Sequence, residues 1–165
     1  MNILVVSDTH RDIRALYDVV SRYRNSIDLV IHLGDCYNDL QSVMIDFPTI
    51  AHLSVLGNCD YNCFDTSVKY EGTFTADDRR IFYTHGHKYN VKAGLEYLIS
   101  NAKMKDADIV LYGHTHIKQI VENNGVLVIN PGSLTIPRDG GCGSCVLLKI
   151  CAGEVKYEII EVQDI

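Results

Sequence analysis

Short apolar runs alternate with polar clusters along this chain, and the pattern predicts a layered α/β fold. In the first half, buried strands are predicted at residues 2–7, 28–33 and 49–56. Helical spacing of apolar residues predicts helices at 11–23 and 37–45, the second closing before Pro48. Strands that alternate with helices in this order favour parallel pairing through right-handed crossovers.

The second half of the chain has a different pattern, with more hairpins. Residues 67–75 and 79–84 are predicted to pair as antiparallel strands across the Asp77-Asp78 turn. A helix is expected at 91–102 and a buried strand at 109–112. Hairpins follow at 117–122 with 126–129, and at 144–151 with 154–162. Together the elements predict an α/β sandwich of two mixed sheets with helices outside.

Composition narrows the class of protein. The chain has 165 residues, of which 47% are hydrophobic, so we expect one domain spanning residues 1–165 with a substantial core. Its formal net charge of −6 argues against a broad nucleic-acid surface. There is no apolar run of about 18 residues, so no membrane span is expected. The first residues lack a signal-peptide pattern, which predicts a cytoplasmic protein.

Polar clusters follow five of the predicted strands and carry the candidate chemistry. They are Asp8-Thr9-His10, Gly34-Asp35, Gly57-Asn58, His85-Gly86-His87 and Gly113-His114-Thr115-His116. The carboxyl ends of strands in an open α/β sheet share one rim, where ligands bind. Carboxylate, amide and imidazole groups suit divalent ions such as Mn²⁺, Fe²⁺, Zn²⁺ or Ni²⁺. The sequence therefore predicts a hydrolytic metal site at that rim.

The number of donors indicates two cations rather than one. Asp8 and His10 lie two apart on a segment expected to be extended, so both can point to the same side, and His114 with His116 repeats the spacing. Asp35 has two oxygens and can bridge two ions. A pair of cations about 3.5–4 Å apart lowers the pKa of a bridging water to give hydroxide near neutral pH.

Each motif by itself has a structural alternative. A lone Asp-x-His is weak, a buried histidine often satisfies core hydrogen bonds, and the 113–116 segment alone could be a turn. His32 and His52 fall inside strands and are interpreted as structural. Of the six cysteines, Cys142 and Cys145 form a C-x-x-C pair with no second pair to complete a zinc site. We interpret the cysteines as buried or loop thiols.

The motifs in this order resemble the calcineurin-like metallophosphoesterases. The segments SDTH, HLGDC, LGNCD, THGH, GHTH and NPGSLTIPR resemble the small YfcE-like phosphodiesterase group, over residues 3 to about 138. The resemblance implies a four-layer αββα sandwich with a dinuclear site at one edge. It implies one metal held by Asp8, His10 and His116, a second held by Asn58, His85 and His114, and Asp35 as the bridge. His87 is expected beside the site, with a role in substrate contact.

One departure from the family pattern concerns the general acid. Many members read GNHE, with the histidine as presumed acid, whereas this chain reads Gly57-Asn58-Cys59-Asp60. Asp60 is therefore the candidate for protonating the leaving group, beside Asn58 and His85 as catalytic residues. The alternative is that Asp60 only orders its loop. Without an acid, activity should favour esters with good leaving groups such as phenolates.

Two further features keep two interpretations each. The segment from Asn130 to Ser133 resembles the family's NPGS loop, and either lines the site with its N–H groups and hydroxyl or forms a tight turn. Arg138 and Arg11 either pair with substrate phosphate or face solvent.

The leading functional hypothesis is a phosphodiesterase that hydrolyses a small phosphodiester by in-line attack of a hydroxide bridging two divalent metal ions. Mn²⁺ is the favoured ion; Ni²⁺, Zn²⁺, Fe²⁺, Co²⁺ and Mg²⁺ stay open. The competing hypotheses are a non-catalytic scaffold similar to the retromer subunit of this fold, or a phosphomonoesterase or nuclease. Related small enzymes imply a dimer or tetramer.

Overall fold

The computed structural model describes residues 1–61 and 65–162, and within them the chain alternates strands and helices much as predicted. Its elements are β1 (Asn2–Val6), α1 (Ile13–Tyr23), β2 (Leu29–His32), α2 (Asn38–Met44), β3 (Ala51–Ser54), β4 (Glu71–Ala76), β5 (Arg79–Thr84), α3 (Glu96–Met104), β6 (Ile109–Leu111), β7 (Lys118–Asn123), β8 (Val126–Pro131), β9 (Gly143–Cys151) and β10 (Glu154–Val162). A short 3₁₀ helix at His87–Tyr89 follows β5.

The strands form two five-stranded mixed sheets. The first sheet has the order β10-β9-β1-β2-β3, and the second has the order β4-β5-β6-β8-β7. In the first sheet, β1, β2 and β3 are parallel, as the strand–helix alternation predicted. In the second, β5, β6 and β8 are parallel, while β4 and β7 pair antiparallel at the edges. Parallel strands at the centre of each sheet bring their carboxyl ends to one rim.

Because alternate side chains of a strand point to opposite faces, the core of the described residues consists of three clusters, one between the sheets and one on the outer face of each sheet. Between the sheets pack residues such as Ile3, Ile31, Ile81 and Leu111. The other face of the first sheet packs against α1 and α2, and the other face of the second packs against α3. The predicted four-layer αββα sandwich is confirmed, and both faces of each central strand are buried, as parallel sheets require.

Helix α1 begins where a side chain replaces a missing backbone partner. The carboxylate of Asp12 accepts a hydrogen bond from the backbone N–H of Ala15 at 3.1 Å, which caps the first turn. Leu16, Val19 and Val20 are the buried residues of this helix. Tyr17, on the same helix, is 38% exposed.

Several predicted boundaries shift by a few residues. Helix α3 begins at Glu96, later than predicted, because Val91 is buried ahead of it in a turn that follows Asn90, whose φ is +51°. Strand β4 begins at Glu71, and the segment before it makes only an isolated bridge between Val55 and Lys69. The hairpin turns at Asn124-Gly125 and Ala152-Gly153 have positive φ at both residues, as two-residue hairpin loops favour.

Five of the six cysteines lie in the described part of the chain, and all five are free thiols. Cys142 is exposed and Cys145 is buried, so the C-x-x-C pair does not act as a joined unit. Burial raises the pKa of the Cys145 thiol to about 12, which keeps it protonated and unreactive. Cys63 lies outside the described residues. Over residues 1–61 and 65–162, every helix is too short or too polar to cross a membrane.

The inter-sheet core predicts a stability difference between two isoleucines. Ile81 is 0% exposed, whereas Ile45 is 77% exposed. Ile81→Ala should lower the free energy of unfolding by about 2–5 kcal/mol, because the deletion leaves a cavity between two sheets. Urea unfolding followed by circular dichroism measures this loss, and Ile45→Ala is the control. Equal losses in the two variants would contradict the described packing.

Candidate metal centre

The candidate ligands lie on loops that follow five parallel or neighbouring strand ends. Asp8 follows β1, Asp35 follows β2, Asn58 follows β3, His85 follows β5 and His114 follows β6. Since both sheets present their carboxyl ends on the same side of the sandwich, residues distant in sequence come within a few ångströms of one another.

The first cluster contains two buried carboxylates and two imidazoles. One ligand atom from each of Asp8, His10, Asp35 and His116 lies within 4.8 Å of the others. The Nε2 atoms of His10 and His116 are 3.2 Å apart. Oδ1 of Asp8 lies 3.2 Å from Nε2 of His116. Convergence of four donor atoms on one small space is what a first-row divalent cation requires.

A second cluster lies beside the first and shares Asp35 with it. Nε2 of His85 is 3.1 Å from the amide oxygen of Asn58 and 3.5 Å from Oδ1 of Asp35. The ring of His114 lies against that of His85, with centroids 5.0 Å apart. The other oxygen of Asp35, Oδ2, is 3.9 Å from Nε2 of His10. The Asp35 carboxylate therefore stands between the two clusters, one oxygen toward each.

Backbone carbonyls fix the tautomers of two of these histidines. Nδ1 of His85 is 2.7 Å from the carbonyl oxygen of Leu33, and Nδ1 of His116 is 2.8 Å from that of Ile136. A carbonyl only accepts, so each Nδ1 carries the hydrogen, and each Nε2 is the ring nitrogen that faces the cluster. This second contact is typical of metal-ligating histidines.

The donor atoms of Asp8 and His116 are arranged to bind a divalent cation, because without a positive charge they repel each other. With Nε2 of His116 unprotonated, Oδ1 of Asp8 is buried and finds no hydrogen-bond donor among the described residues. Two electron-rich atoms held close together in a buried space repel unless a positive charge lies between them. The Asp8 carboxylate accordingly raises the pKa of His116 above its ordinary value. A bound cation would supply the positive charge that a proton on His116 otherwise provides.

The loops reach the site through left-handed backbone rather than the extended segments expected from the Asp-x-His spacing. Asp8 and His10 have φ of +55° and +47°, and His114 and His116 have φ of +70° and +62°. Asp35 shares this conformation at +60°. The expectation that alternate residues of a strand point to one side was therefore wrong in its geometry, although the side chains do converge. Asp and His are among the residue types that tolerate this region best.

Two of the rim glycines are required by close approach. A Cβ on Gly57 would lie 2.1 Å from Oδ1 of Asp35, and a Cβ on Gly113 would lie 2.0 Å from Oγ of Ser7. Both contacts are far inside van der Waals distance, so the two loops pack this closely against Asp35 and Ser7 only because a side chain is missing.

Asp60, a candidate general acid, is bound to the backbone of its own loops. Its two carboxylate oxygens accept from the N–H groups of Asp35, Cys36, Tyr37 and Gly57, at distances between 2.7 and 3.3 Å. Such contacts order the loop that carries Asp35, and they leave both carboxylate oxygens occupied by backbone donors. This geometry supports the loop-ordering alternative rather than proton donation.

Cys59, which stands where many family members have histidine, contacts the carboxylate of Asp35, the candidate bridge. Its backbone N–H donates to Oδ1 of Asp35 at 2.8 Å, and its Sγ lies 3.3 Å from Oδ2. Burial and the neighbouring Asp35 raise the pKa of the Cys59 thiol to about 12, so it stays protonated and donates to the carboxylate.

The remaining candidates lie around the cluster. The ring of His87 is 5.3 Å from that of His85 and 6.1 Å from that of His114, so it is adjacent to the second cluster. Ser133 is buried and its hydroxyl donates to the carbonyl oxygen of Asp8 at 2.8 Å. The NPGS segment therefore supports the Asp8 loop from behind. The side chains of Arg11 and Arg138 are exposed.

Three buried residues behind the first cluster were not assigned to the site from the sequence. Thr9, His32 and Asp39 are 0%, 0% and 5% exposed, and they are joined by hydrogen bonds. Thr9 stands within the SDTH segment and His32 within a strand, so position alone marked them as loop and core residues. No sequence motif marks Asp39, because it lies on a short helix rather than at the end of a strand. His52 is exposed on edge strand β3.

Comparison with known proteins decides the family. A model of the calcineurin-like phosphoesterase superfamily domain matches residues 1–153. The chain belongs to this superfamily. Its match covers all seven candidate ligands, so the residues that converge in the structure fall inside the family domain.

Individual proteins and solved structures are also similar to this chain. A Bacillus subtilis (strain 168) protein named probable metallophosphoesterase YsnB is 35% identical over 138 residues, covering 84% of this chain and 78% of that protein. The structure of an archaeal phosphodiesterase matches with a TM-score of 0.75 at 26% identity, covering 97% of this chain and all of that one (100%). Wild-type Vps29 from Entamoeba histolytica, complexed with Zn²⁺, matches with a TM-score of 0.75 at 22% identity, covering 98% and 99%. This last likeness concerns the fold alone.

Burial of His32 predicts a pH dependence of stability. Burial lowers the pKa of His32 to about 4, below the ordinary value of 6.5, because the charged imidazolium loses its hydration. The unfolded chain therefore binds a proton below pH 6.5 that the folded chain does not. Stability is full above pH 6.5 and is lost as the pH falls toward 4, with His32 accounting for about 2 kcal/mol at pH 5.

The measurement compares the wild type with His32→Gln in chelator by urea unfolding between pH 8 and pH 5. The wild type should lose more stability than the variant over this range, whatever the offset between them at pH 8. Parallel curves would show that His32 is not buried in its neutral form.

Proposed function

We propose that this chain is a phosphodiesterase that uses two divalent cations to hydrolyse a small phosphodiester. The observation that carries the proposal is the position of Asp35, whose two oxygens face separate clusters of imidazole and amide donors. Asp8, His10 and His116 would hold one cation, and Asn58, His85 and His114 the other. Mn²⁺ is the proposed ion, and the nitrogen and oxygen donors are also compatible with Zn²⁺, Fe²⁺, Co²⁺ and Ni²⁺.

The proposed reaction is in-line displacement at phosphorus. Water attacks opposite the departing ester oxygen, the P–O bond to that oxygen breaks, and the products are an alcohol and a phosphomonoester. The bound cations would supply Lewis acidity, which lowers the pKa of water and offsets the negative charge of the transition state. Asn58 and His85 flank the phosphate, and the Leu33 carbonyl keeps the His85 ring in one orientation.

The loops around Asp35 support a small substrate. A recess of about 190 Å³ beside the cluster is lined by residues that include Arg11, Cys36, Cys59 and Asp60. Drug-sized ligands usually occupy pockets of about 300–1,000 Å³. A recess below that range suits a short ester substituent, and the net charge of −6 disfavours long nucleic acids. The archaeal structural relative is described as a phosphodiesterase, which agrees with a diester substrate.

The competing scaffold function shares the fold but does not need the donor set. All seven positions of this chain carry ligating side chains, which favours catalysis over a purely structural role. Metal analysis together with hydrolysis of a chromogenic phosphodiester in Mn²⁺ separates the two. A substrate panel with phosphomonoesters and polynucleotides tests for phosphomonoesterase and nuclease activity. A dimer or tetramer, and a cytoplasmic location, stay predictions.

Removing the charge of the bridging residue should abolish turnover. Asp35→Asn keeps the shape of the side chain but replaces one anionic oxygen with an amide that cannot bridge two cations. We expect hydrolysis of bis(4-nitrophenyl) phosphate with Mn²⁺ to fall by at least about 10²–10³-fold, as when a charge-stabilising group is lost. Circular dichroism should show an unchanged fold.

Asp46→Asn is the matched control, because Asp46 is an exposed aspartate outside the site. It should hydrolyse the diester at the wild-type rate. Wild-type turnover by Asp35→Asn would end the proposed mechanism, and an equal loss in both variants would point to a general effect on the protein.

The contacts of Asp60 predict how the reaction depends on the leaving group. Asp60→Asn should lower both the thermal stability and the rate, because an amide places a second N–H donor against the backbone N–H groups. The slope of log kcat against leaving-group pKa, measured over a series of aryl phosphodiesters, should not change. A steeper slope in the variant would instead assign the proton transfer to Asp60.

A further inference from the structure

A continuous line of buried hydrogen bonds runs behind the first metal cluster. Oγ1 of Thr9 lies 3.0 Å from Nε2 of His32 and 2.6 Å from Oδ2 of Asp39. The other nitrogen of His32, Nδ1, lies 3.1 Å from the backbone nitrogen of Gly34. Oδ2 of Asp39 also lies 2.9 Å from the backbone nitrogen of Arg11. The line therefore begins at Gly34 and ends at Arg11.

The direction of each hydrogen bond follows from its two ends. The Gly34 N–H can only donate, so Nδ1 of His32 accepts and its Nε2 carries the hydrogen. Nε2–H then donates to Thr9 Oγ1, and the Thr9 hydroxyl donates to the Asp39 carboxylate. Burial lowers the pKa of His32 to about 4, which agrees with a neutral ring. The Thr9 hydroxyl is the one group in this line that both accepts and donates through a single atom.

The two loops joined by this line are those that carry the ligands of the first cluster. Gly34 precedes the bridging Asp35, and Thr9 stands between Asp8 and His10. Both loops contain residues with positive φ, including His10 at +47° and Asp35 at +60°. Backbone in this region persists only when surrounding contacts over-determine it. The hydrogen bonds at Gly34, Thr9 and Arg11 supply such contacts, next in sequence to Asp35 and His10.

We propose that Thr9, with His32 and Asp39, is a positioning residue that sets the spacing between the Asp8–His10 loop and Asp35 and thereby the affinity of the first cation. This inference rests on the proposed function for the presence of that cation. Thr9 touches neither substrate nor cation; it acts through the neighbouring ligands. The chain offers a matched pair of substitutions, since Val keeps the shape of Thr without the hydroxyl and Ser keeps the hydroxyl.

Other contacts to the Asp8 loop are independent of the Thr9 side chain. Ser133 donates to the carbonyl oxygen of Asp8, and Thr135 donates to that of Thr9 at 3.1 Å. The backbone N–H of Asp8 donates to the carbonyl oxygen of Gly34 at 3.1 Å. These contacts remain in Thr9→Val, so we expect the variant to fold with its loop slightly displaced rather than unfolded.

The test measures Mn²⁺ binding to the full chain by titration calorimetry, with electron paramagnetic resonance to report coupling between two bound ions. Thr9→Val should bind the first ion about 10–100-fold more weakly, the range found when a partner of a metal ligand is removed. It should also lose the spin-coupled signal at equal loading. Thr9→Ser should keep an affinity and a signal close to those of the wild type.

A variant destabilised elsewhere controls for a general loss of stability. Val128→Ala removes core contacts beneath α3, in the cluster on the far face of the second sheet. It should bind Mn²⁺ as the wild type does at a comparable loss of melting temperature. Wild-type affinity in Thr9→Val, equal weakening in the Val and Ser variants, or equal weakening in Val128→Ala would each overturn the proposal.

A second variant decides the matter if Thr9→Val does not fold. Asp39→Asn keeps the shape of the Asp39 side chain and removes its charge. It should also lower the affinity for the first Mn²⁺ ion, and an unchanged affinity in this variant overturns the proposal. Hydrolysis is assayed separately. If Thr9→Val binds Mn²⁺ more weakly but the wild type cleaves no phosphodiester, only the proposed function is defeated. Full affinity in Thr9→Val with an active wild type would defeat the positioning role alone.

Discussion

The structure depends on one electrostatic constraint: lone pairs of carboxylate and imidazole groups converge in a buried space at the junction of two sheets. Asp8 and Asp35 are almost wholly buried, and the Nε2 atoms of His10 and His116 approach to 3.2 Å. Such groups are costly to bury unless a positive charge compensates them. The need for that charge links the fold to a divalent cation, and through it to phosphate chemistry.

Holding the donors in place has a conformational cost that the surrounding polar groups offset. Left-handed backbone at a residue other than glycine costs roughly 1–2 kcal/mol, and the site has several such residues. The compensation is a set of hydrogen bonds: Asp60 binds the Asp35 loop, Ser133 binds the Asp8 loop, and Thr9 joins the two loops through His32. Much of what the family pattern presents as motif is therefore support for the ligands.

The fold of this chain does not by itself decide its function. The same sandwich matches a phosphodiesterase and a Vps29 at equal TM-score, so the architecture is shared by proteins with different names. The choice lies in the side chains at the rim. In this chain Asp35 faces a cluster on each side, and the two histidines with identified backbone partners turn Nε2 inward. Cys59 also contacts Asp35, through its backbone N–H and its thiol.

The sequence by itself determined the layered fold, the parallel strands of the first half and the identity of the candidate ligands, because hydrophobic period and strand-end position are local properties that the chain displays directly. Only the tertiary structure decided the left-handed loops, the direction in which His32 donates, the buried place of Asp39 and the contacts of Asp60. Each of these depends on a partner far away in sequence: Thr9 meets Asp39, and Asp60 meets Asp35, only once the strands have paired. Local pattern names the residues that carry charge, but the packing of one loop on another decides what each charge faces.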